Sequence, residues 1–375
     1  MRALARVNLA AVERNVARLR AEVGASTRLC AVVKADAYGH GAVPVARAAQ
    51  AAGAAWLAVA TAGEAAALRD AGIGGTILVL GALAADELAL ALEAGAEVVA
   101  WREEFVLAAA EHAERVGRPV ALHVKLDTGM GRLGTRDAAE ATLVAERAAA
   151  DGRLRLAGLM THFATADARG DAFFDLQLRR FRAWTQPLRE RHPGVPLHAA
   201  NSAALLRDRA AHFDVVRPGL AVYGLDPFGE DPARLGLEPA LELLSYVAEV
   251  KRCPAGESAG YGRRFVAERD TVIATVPIGY GDGWRRGLSD NCDVLIAGRR
   301  FPLVGAVSMD NVTVDLGPGG GGVERGAEAV LLGARGGEGV TAEEVARRLR
   351  TINYEVVCGL LPRVPRAYHR DGEPA

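Results

Sequence analysis

From residue 28 onward, short β-branched runs alternate with longer Ala-, Leu- and Arg-rich stretches of helical period, and no other feature narrows the fold as far. The runs are "RLCAVVK" (28–34), "AAWLAVA" (54–60), "TILVLG" (76–81), "AEVVAW" (96–101), "PVALHVKLD" (119–127), "LRLAGLMTHF" (154–163), "PLHAAN" (196–201) and "FDVVRPG" (213–219). Between them lie amphipathic stretches such as "REEFVLAAAEHAERVG" and "FFDLQLRRFRAWTQPLRERH". Glycine closes several of the helices ("AAG", "DAG", "EAG", "RVG"), as a C-cap residue at positive φ does. Eight such units over about 190 residues predict an α/β fold, an N-terminal (β/α)8 TIM-like barrel. A doubly wound open sheet is the alternative.

After about residue 235 the period falls to two, in "ALELLSYVAEVKRC", "DTVIATVPIGYGDGW" and "CDVLIAGRRFPLVGAVSMDNVTVDLG". One clear helix is expected there, "TAEEVARRLR" (341–350), with Thr341 as N-cap. Residues 1–235 are therefore expected to form the barrel domain and 236–375 a mainly β domain. The strand-like "RALARVNL" at the start is assignable to either. "GPGGGG" (317–322) reads as a loop, because no helix opens after it as a nucleotide site requires.

Half of the 375 residues are hydrophobic, enough for a large core, and the net charge of −1 excludes a basic field for nucleic acid or a membrane surface. No apolar run reaches the roughly 18 residues of a membrane span, and no signal peptide is visible. Four cysteines without CxxC pairing read as reduced thiols, so a cytoplasmic protein is expected. Eight histidines without HExxH-like spacing argue against a metal enzyme.

Polar residues gather where the predicted barrel strands end. Lys34 closes the first. His123, Lys125 and Asp127 alternate with Val124 and Leu126, which puts all three on the inward face. His162, Asn201, Ser202 and Arg217 close the last three strands. Chemistry in such barrels sits on this rim. A lysine in an apolar setting loses its proton more readily, and the neutral amine attacks aldehydes. That leaves two classes open: barrel aldolases, and proteins that hold pyridoxal phosphate. Ser202 and the backbone at Gly219 and Leu220 would suit a phosphate, and Arg217 a pyridine nitrogen.

The motifs "AVVKADAYGHG", "VKLDTGMGRLG", "GLMTHFATAD", "ANSAA", "VRPGLAVYG", "SAGYGRRF", "IGYGDGW", "VSMDN", "INYEV" and "RVPR" follow one another along nearly the whole chain. In that order they resemble the alanine racemases, fold-type III pyridoxal phosphate enzymes. The resemblance implies that Lys34 holds the cofactor and serves as base on one face of the substrate Cα. Tyr261 would be the base on the other face, supplied by the partner subunit of a homodimer with shared sites. Arg217 would meet the pyridine nitrogen, with His162 nearby, and Tyr38, Asn201, Ser202, Gly219 and Leu220 would surround the phosphate. Arg132 and the backbone at Met309 would hold the substrate carboxylate, Asp310 would order the entrance and Tyr280 line it. Lys125 matches a lysine that many members carbamylate. The implied reaction is interconversion of L- and D-alanine, which supplies D-alanine for peptidoglycan.

Broad-specificity, serine or lysine racemases share the scaffold. A non-catalytic pyridoxal phosphate-binding barrel lacks the second β domain, and a decarboxylase of this fold pairs the pyridine nitrogen with a carboxylate rather than Arg217. The chain departs from many members at Pro362, where a tyrosine is common, at Ser308 for Cys and at Asn8 for Asp.

Overall fold

The computed structural model describes residues 2–375. Strand β1 (Leu4–Asn8) comes first. Eight parallel strands then close on themselves: β2 (Arg28–Val32), β3 (Trp56–Val59), β4 (Thr76–Val79), β5 (Glu97–Ala100), β6 (Val120–Lys125), β7 (Leu154–Met160), β8 (Leu197–His198) and β9 (Val215–Val216). β2 pairs with β9 to complete the ring. The expected barrel is present and the open sheet is not. Barrel strands have apolar neighbours on both faces, so β3 is buried at every residue, and the run reads as continuous rather than alternating. Gly53, Gly72, Gly95 and Gly117 all lie at positive φ where the sequence predicts helix ends.

Several strands are shorter than their apolar runs. β8 keeps two residues of "PLHAAN" and β9 two of "FDVVRPG". On the rim, the carbonyls of Thr161 and Ala199, just past β7 and β8, accept hydrogen bonds from the Arg217 guanidinium.

The chain divides into two compact units. One comprises Val12–Ala37 and Gly41–Val222 and contains the barrel. The other comprises the segment up to Ala11, Tyr38–His40 and residues from Tyr223 to the end, so the boundary expected at 235/236 falls inside it. Its strands are β10 (Leu241–Tyr246), β11 (Glu249–Cys253), β12 (Ser258–Ala259), β13 (Phe265–Val266), β14 (Thr271–Val276), β15 (Asp293–Ile296), β16 (Arg299–Val304), β17 (Val312–Asp315), β18 (Glu328–Arg335), β19 (Glu338–Val340), β20 (Arg366–Arg370) and β21 (Glu373–Pro374). All but β12 and β13 join one sheet in the order β11-β14-β17-β16-β15-β18-β10-β1-β20-β21, with β19 on β18.

β1 pairs antiparallel with β10 and parallel with β20, which settles where the first strand belongs. Its buried residues alternate, as in a sheet with one covered face. Thr341 caps the helix Ala342–Leu349 by accepting from the Glu344 N–H. A second helix, Asn353–Cys358, was not legible in the sequence. Residues 318–322 of the glycine run make a short 3-10 turn after β17.

Candidate active site

In the barrel unit, Lys34 follows β2 by two residues and opens a turn of unusual hand. Ala35, Asp36, Ala37 and Tyr38 have φ of 51, 51, 53 and 54°. Left-handed helical backbone costs an L-residue about 1–2 kcal/mol each, so the turn persists only because other groups dictate it. The Glu64 carboxylate accepts from the Ala35 N–H at 2.5 Å and from Ala60 at 2.8 Å, and the Asp36 carboxylate accepts from the Ala42 N–H at 2.7 Å. Lys34 is thereby presented by a rigid bend at the end of its strand.

Lys125 is the last residue of β6 and is buried. Burial, with the charges of Arg217, Arg132 and Lys34, lowers its pKa to about 8, against a smaller opposing influence from Asp127. His162, just past β7, is held well below the usual histidine range by burial and by the same three cations together with Lys125 itself. Arg217 is buried too. It donates to the carbonyls of Thr161 at 2.8 Å and Ala199 at 3.2 Å and lies 2.9 Å from His198 Nδ1. Burial brings its pKa down to about 10, which still leaves it charged at neutral pH.

Asp127 departs from expectation. β6 ends at Lys125, and Asp127 turns into the following loop instead of sharing the inward face with Lys125. It accepts from the N–H groups of Gly129 and Gly131, each at 3.0 Å, and pairs with Arg136 at 3.2 Å. Burial pushes its carboxyl up, but these bonds hold it below the usual range. Its work is to fold the loop that carries the exposed Arg132.

Asn201 caps the helix Ser202–Arg207 by accepting from the Ala204 N–H at 2.9 Å. The Ser202 hydroxyl oxygen accepts from the N–H of Gly219 at 3.0 Å and of Ala221 at 3.2 Å, so its own proton points elsewhere as a donor. The Gly219 N–H, expected to face a phosphate, here donates to the Ser202 hydroxyl oxygen and so ties the two expected phosphate neighbours together. Leu220 opens the 3-10 turn Leu220–Tyr223.

In the second unit, Tyr38 is buried with its ring 4.9 Å from Tyr223 and 5.8 Å from Tyr354. Burial raises its pKa, which keeps the hydroxyl a neutral donor. Tyr261 starts a short turn between β12 and β13 and is 74% exposed.

Tyr280 and Met309 lie on two loops laced together by the Tyr280 N–H to Ser308 carbonyl bond at 3.0 Å and the Gly281 N–H to Met309 carbonyl bond at 2.9 Å. Gly279 is required there, since a Cβ would stand 2.2 Å from the Ser308 carbonyl oxygen. The buried Asp282 anchors the pair of loops. It accepts from Arg2, from Arg363 at 2.7 Å and from the Gly279 N–H at 2.9 Å, while Arg363 also binds Asp310. The sequence reading missed Arg363 and Arg2, whose motifs carried no hint of a shared carboxylate.

Burial raises the Asp282 carboxyl, but the bonds from Arg363, Gly279 and Arg2 bring it below the ordinary value. A depressed folded pKa contributes stability that is fully present above the unfolded value of about 3.9 and lost as pH falls through the folded one. Asp282→Asn is therefore expected to lower stability by on the order of 2 kcal/mol at pH 7 and to flatten the acid limb below about pH 4. Denaturant titrations at pH 7 and pH 3 check this, and an Asn variant with the parental acid limb contradicts it.

No helix is long and apolar enough to cross a membrane, and no group of three or more His, Cys, Asp or Glu is placed to hold a metal ion, among the described residues.

Residues 7–227 match the alanine racemase N-terminal domain family and residues 240–368 the alanine racemase C-terminal domain family. The chain is 44% identical to an alanine racemase of Symbiobacterium thermophilum, over 97% of this chain and 96% of that protein. It is 40% identical to alanine racemase 1 of Bacillus subtilis, over 98% and 93%. Among solved structures it is similar to the alanine racemase of D-cycloserine-producing Streptomyces lavendulae, with a TM-score of 0.93 and 42% identity over 98% of this chain and 97% of that one. A two-domain match of this extent, over a closed barrel and a β domain that carry the motifs in order, places the chain in the alanine racemase family, pyridoxal phosphate-dependent isomerases.

Proposed function

We propose that the protein interconverts L- and D-alanine by a two-base mechanism on pyridoxal phosphate, with D-alanine supplied to peptidoglycan. The observation that carries the reading is the cation cluster of the barrel unit. The charges of Lys34, Lys125, Arg132 and Arg217 all bear on His162 and hold its pKa down, while Asp127 is engaged by its own loop. Two of these cations, Lys125 and Arg217, are buried, and charges of one sign gathered around them call for an anionic guest. A cofactor phosphate and a substrate carboxylate are such guests, and an aldehyde suits the amine of Lys34.

When bound, pyridoxal phosphate acidifies the substrate Cα–H by drawing electrons into its ring. The chain's residues do the rest. Lys34 would hold the cofactor through its amine. The Ser202 hydroxyl, the Asn201 side-chain NH2, the backbone at Gly219 and Leu220 and the neutral hydroxyl of Tyr38 would face the phosphate. Arg217, which stays protonated, would face the pyridine nitrogen as a donor that does not give up its proton, with the neutral His162 ring nearby.

Arg132 and the Met309 backbone would hold the substrate carboxylate, Asp310 would order the entrance and Tyr280 line it. One base takes the Cα proton from one face and the other returns a proton to the opposite face. Lys34 is one and Tyr261 the other, brought by the partner in a homodimer. Its 74% exposure suits a side chain that a second copy covers.

The test is borohydride reduction of the cofactor-loaded protein followed by mapping of the adduct, with rates on L-alanine, L-serine and L-lysine measured in parallel. One label on Lys34 and a preference for alanine are expected. A label elsewhere ends the reading, and a faster rate on serine or lysine moves it to another substrate.

Lys125 is proposed to carry a carbamate. The reacting species is the neutral amine, and a pKa of about 8 leaves a useful fraction neutral at physiological pH. The anion formed would sit among Arg217, Arg132 and Lys34 and relieve their repulsion. Protein equilibrated with 13C-bicarbonate is expected to show a carbamate resonance that Lys125→Ala lacks. A resonance common to both proteins, or absent from both, contradicts the assignment.

A further inference from the structure

We propose that Glu97, at the end of the barrel strands opposite Lys34, is a positioning residue that sets the direction of a buried hydrogen-bond chain ending on Arg217. Glu97 is the first residue of β5, and its Oε2 lies 2.6 Å from His123 Nε2. His123 Nδ1 lies 2.9 Å from His198 Nε2, and His198 Nδ1 lies 2.9 Å from Arg217 Nη1. Both imidazoles are wholly buried, and the edge of Trp56 flanks them with centroids 5.6 and 6.1 Å away. At the outer end, the half-exposed Arg155 donates to the second oxygen of Glu97 at 2.8 Å.

The protons on this chain have one arrangement. A guanidinium only donates, so His198 Nδ1 must accept from Arg217 and its proton must sit on Nε2. That proton is donated to His123 Nδ1, which places the His123 proton on Nε2, aimed at a carboxylate that only accepts. Every link therefore points from Arg217 toward Glu97, with both rings neutral. Burial lowers the pKa of His123 and sets that of His198 well below the usual range, the latter helped by Arg217, His123, Arg28 and Lys125, which agrees with neutral rings.

Gly158 on β7 makes independent room for the pair. A Cβ there would stand 2.3 Å from His123 Nδ1 and 2.8 Å from His198 Nε2. The site is thus built for two imidazoles in contact, not for apolar filling. A pair of buried rings held at fixed tautomers gives Arg217 a lone pair at one place only. Its planar fork is then fixed by that nitrogen together with the carbonyls of Thr161 and Ala199.

The experiment is Glu97→Gln, an isosteric change. Arg155 retains the amide oxygen, so the amide NH2 faces His123 and the chain has to reverse: His123 and His198 become Nδ1-protonated, and an N–H then opposes Arg217. Nitrogen-15 imidazole spectra of the unloaded protein read this directly. The parent is expected to show Nε2–H on both rings and the variant Nδ1–H. A parent with Nδ1–H on either ring, or a variant that keeps the parental pattern, overturns the inference.

The consequence for turnover rests on the function proposed above. In the loaded enzyme kcat is expected to fall about tenfold with KM for alanine changed less than about twofold, as when a supporting residue rather than a binding one is altered. Reversed tautomers with an unchanged kcat would refute the positioning role. Failure of the function itself is read separately, by absence of a borohydride label on Lys34, and leaves the imidazole spectra as a test of the chain's direction.

Discussion

Lys34→Ala is expected to leave a folded protein that no longer holds pyridoxal phosphate covalently and racemises alanine at least about 10⁴-fold more slowly. The size of the effect follows from the two duties proposed for one amine: anchoring the cofactor and exchanging a proton at one face of Cα. The fold is expected to survive because backbone bonds to Glu64 and Asp36 hold the left-handed turn. Circular dichroism and cofactor absorbance after gel filtration, with borohydride labelling, separate loss of the anchor from loss of the fold. A variant that keeps more than about one per cent of the parental rate while well folded contradicts both duties.

The barrel was legible because parallel strands with both faces buried are written as uninterrupted β-branched runs, and the helices between them keep their own period. Lys34 was legible for the converse reason, as a charge ending such a run. The turn that presents it was not. Ala35, Ala37 and Tyr38 do not favour positive φ, and the conformation is held by the Asp36 carboxylate and by Glu64, far along the chain. Alternation located His123 and Lys125 on the inner face but carried Asp127 with them. The strand ends at Lys125, and beyond it the period of two has no meaning.

His198 and Glu97 escaped notice because a two-residue strand offers no pattern, and an acid at the start of a strand looks like any solvated end. Charges that meet across long separations in sequence, such as Arg2 and Arg363 on Asp282, leave no local trace either. Sequence pattern therefore reports which side chains face a site better than what orients them.

Tyr261→Phe is expected to slow racemisation by about 10²–10⁴-fold while Lys34 is still labelled by borohydride. The hydroxyl sits at an exposed turn between β12 and β13, so its loss is expected to change stability by less than about 0.5 kcal/mol. With one base gone and the other kept, one enantiomer of alanine is expected to keep exchanging its α-hydrogen with deuterated solvent while the other does not. Exchange lost equally from both enantiomers would mean that Tyr261 serves binding, not proton transfer.

The same variant tests the origin of the second base. If Tyr261 acts on the partner's barrel, neither the Lys34→Ala nor the Tyr261→Phe homodimer has an intact site. A heterodimer formed from the two has one, combining Lys34 from one chain with Tyr261 from the other. After equal mixing and subunit exchange, half of the dimers are mixed and half of their sites are whole, so activity returns to about a quarter of the parental value. If both groups had to come from a single chain, no mixture of the two variants would recover any activity.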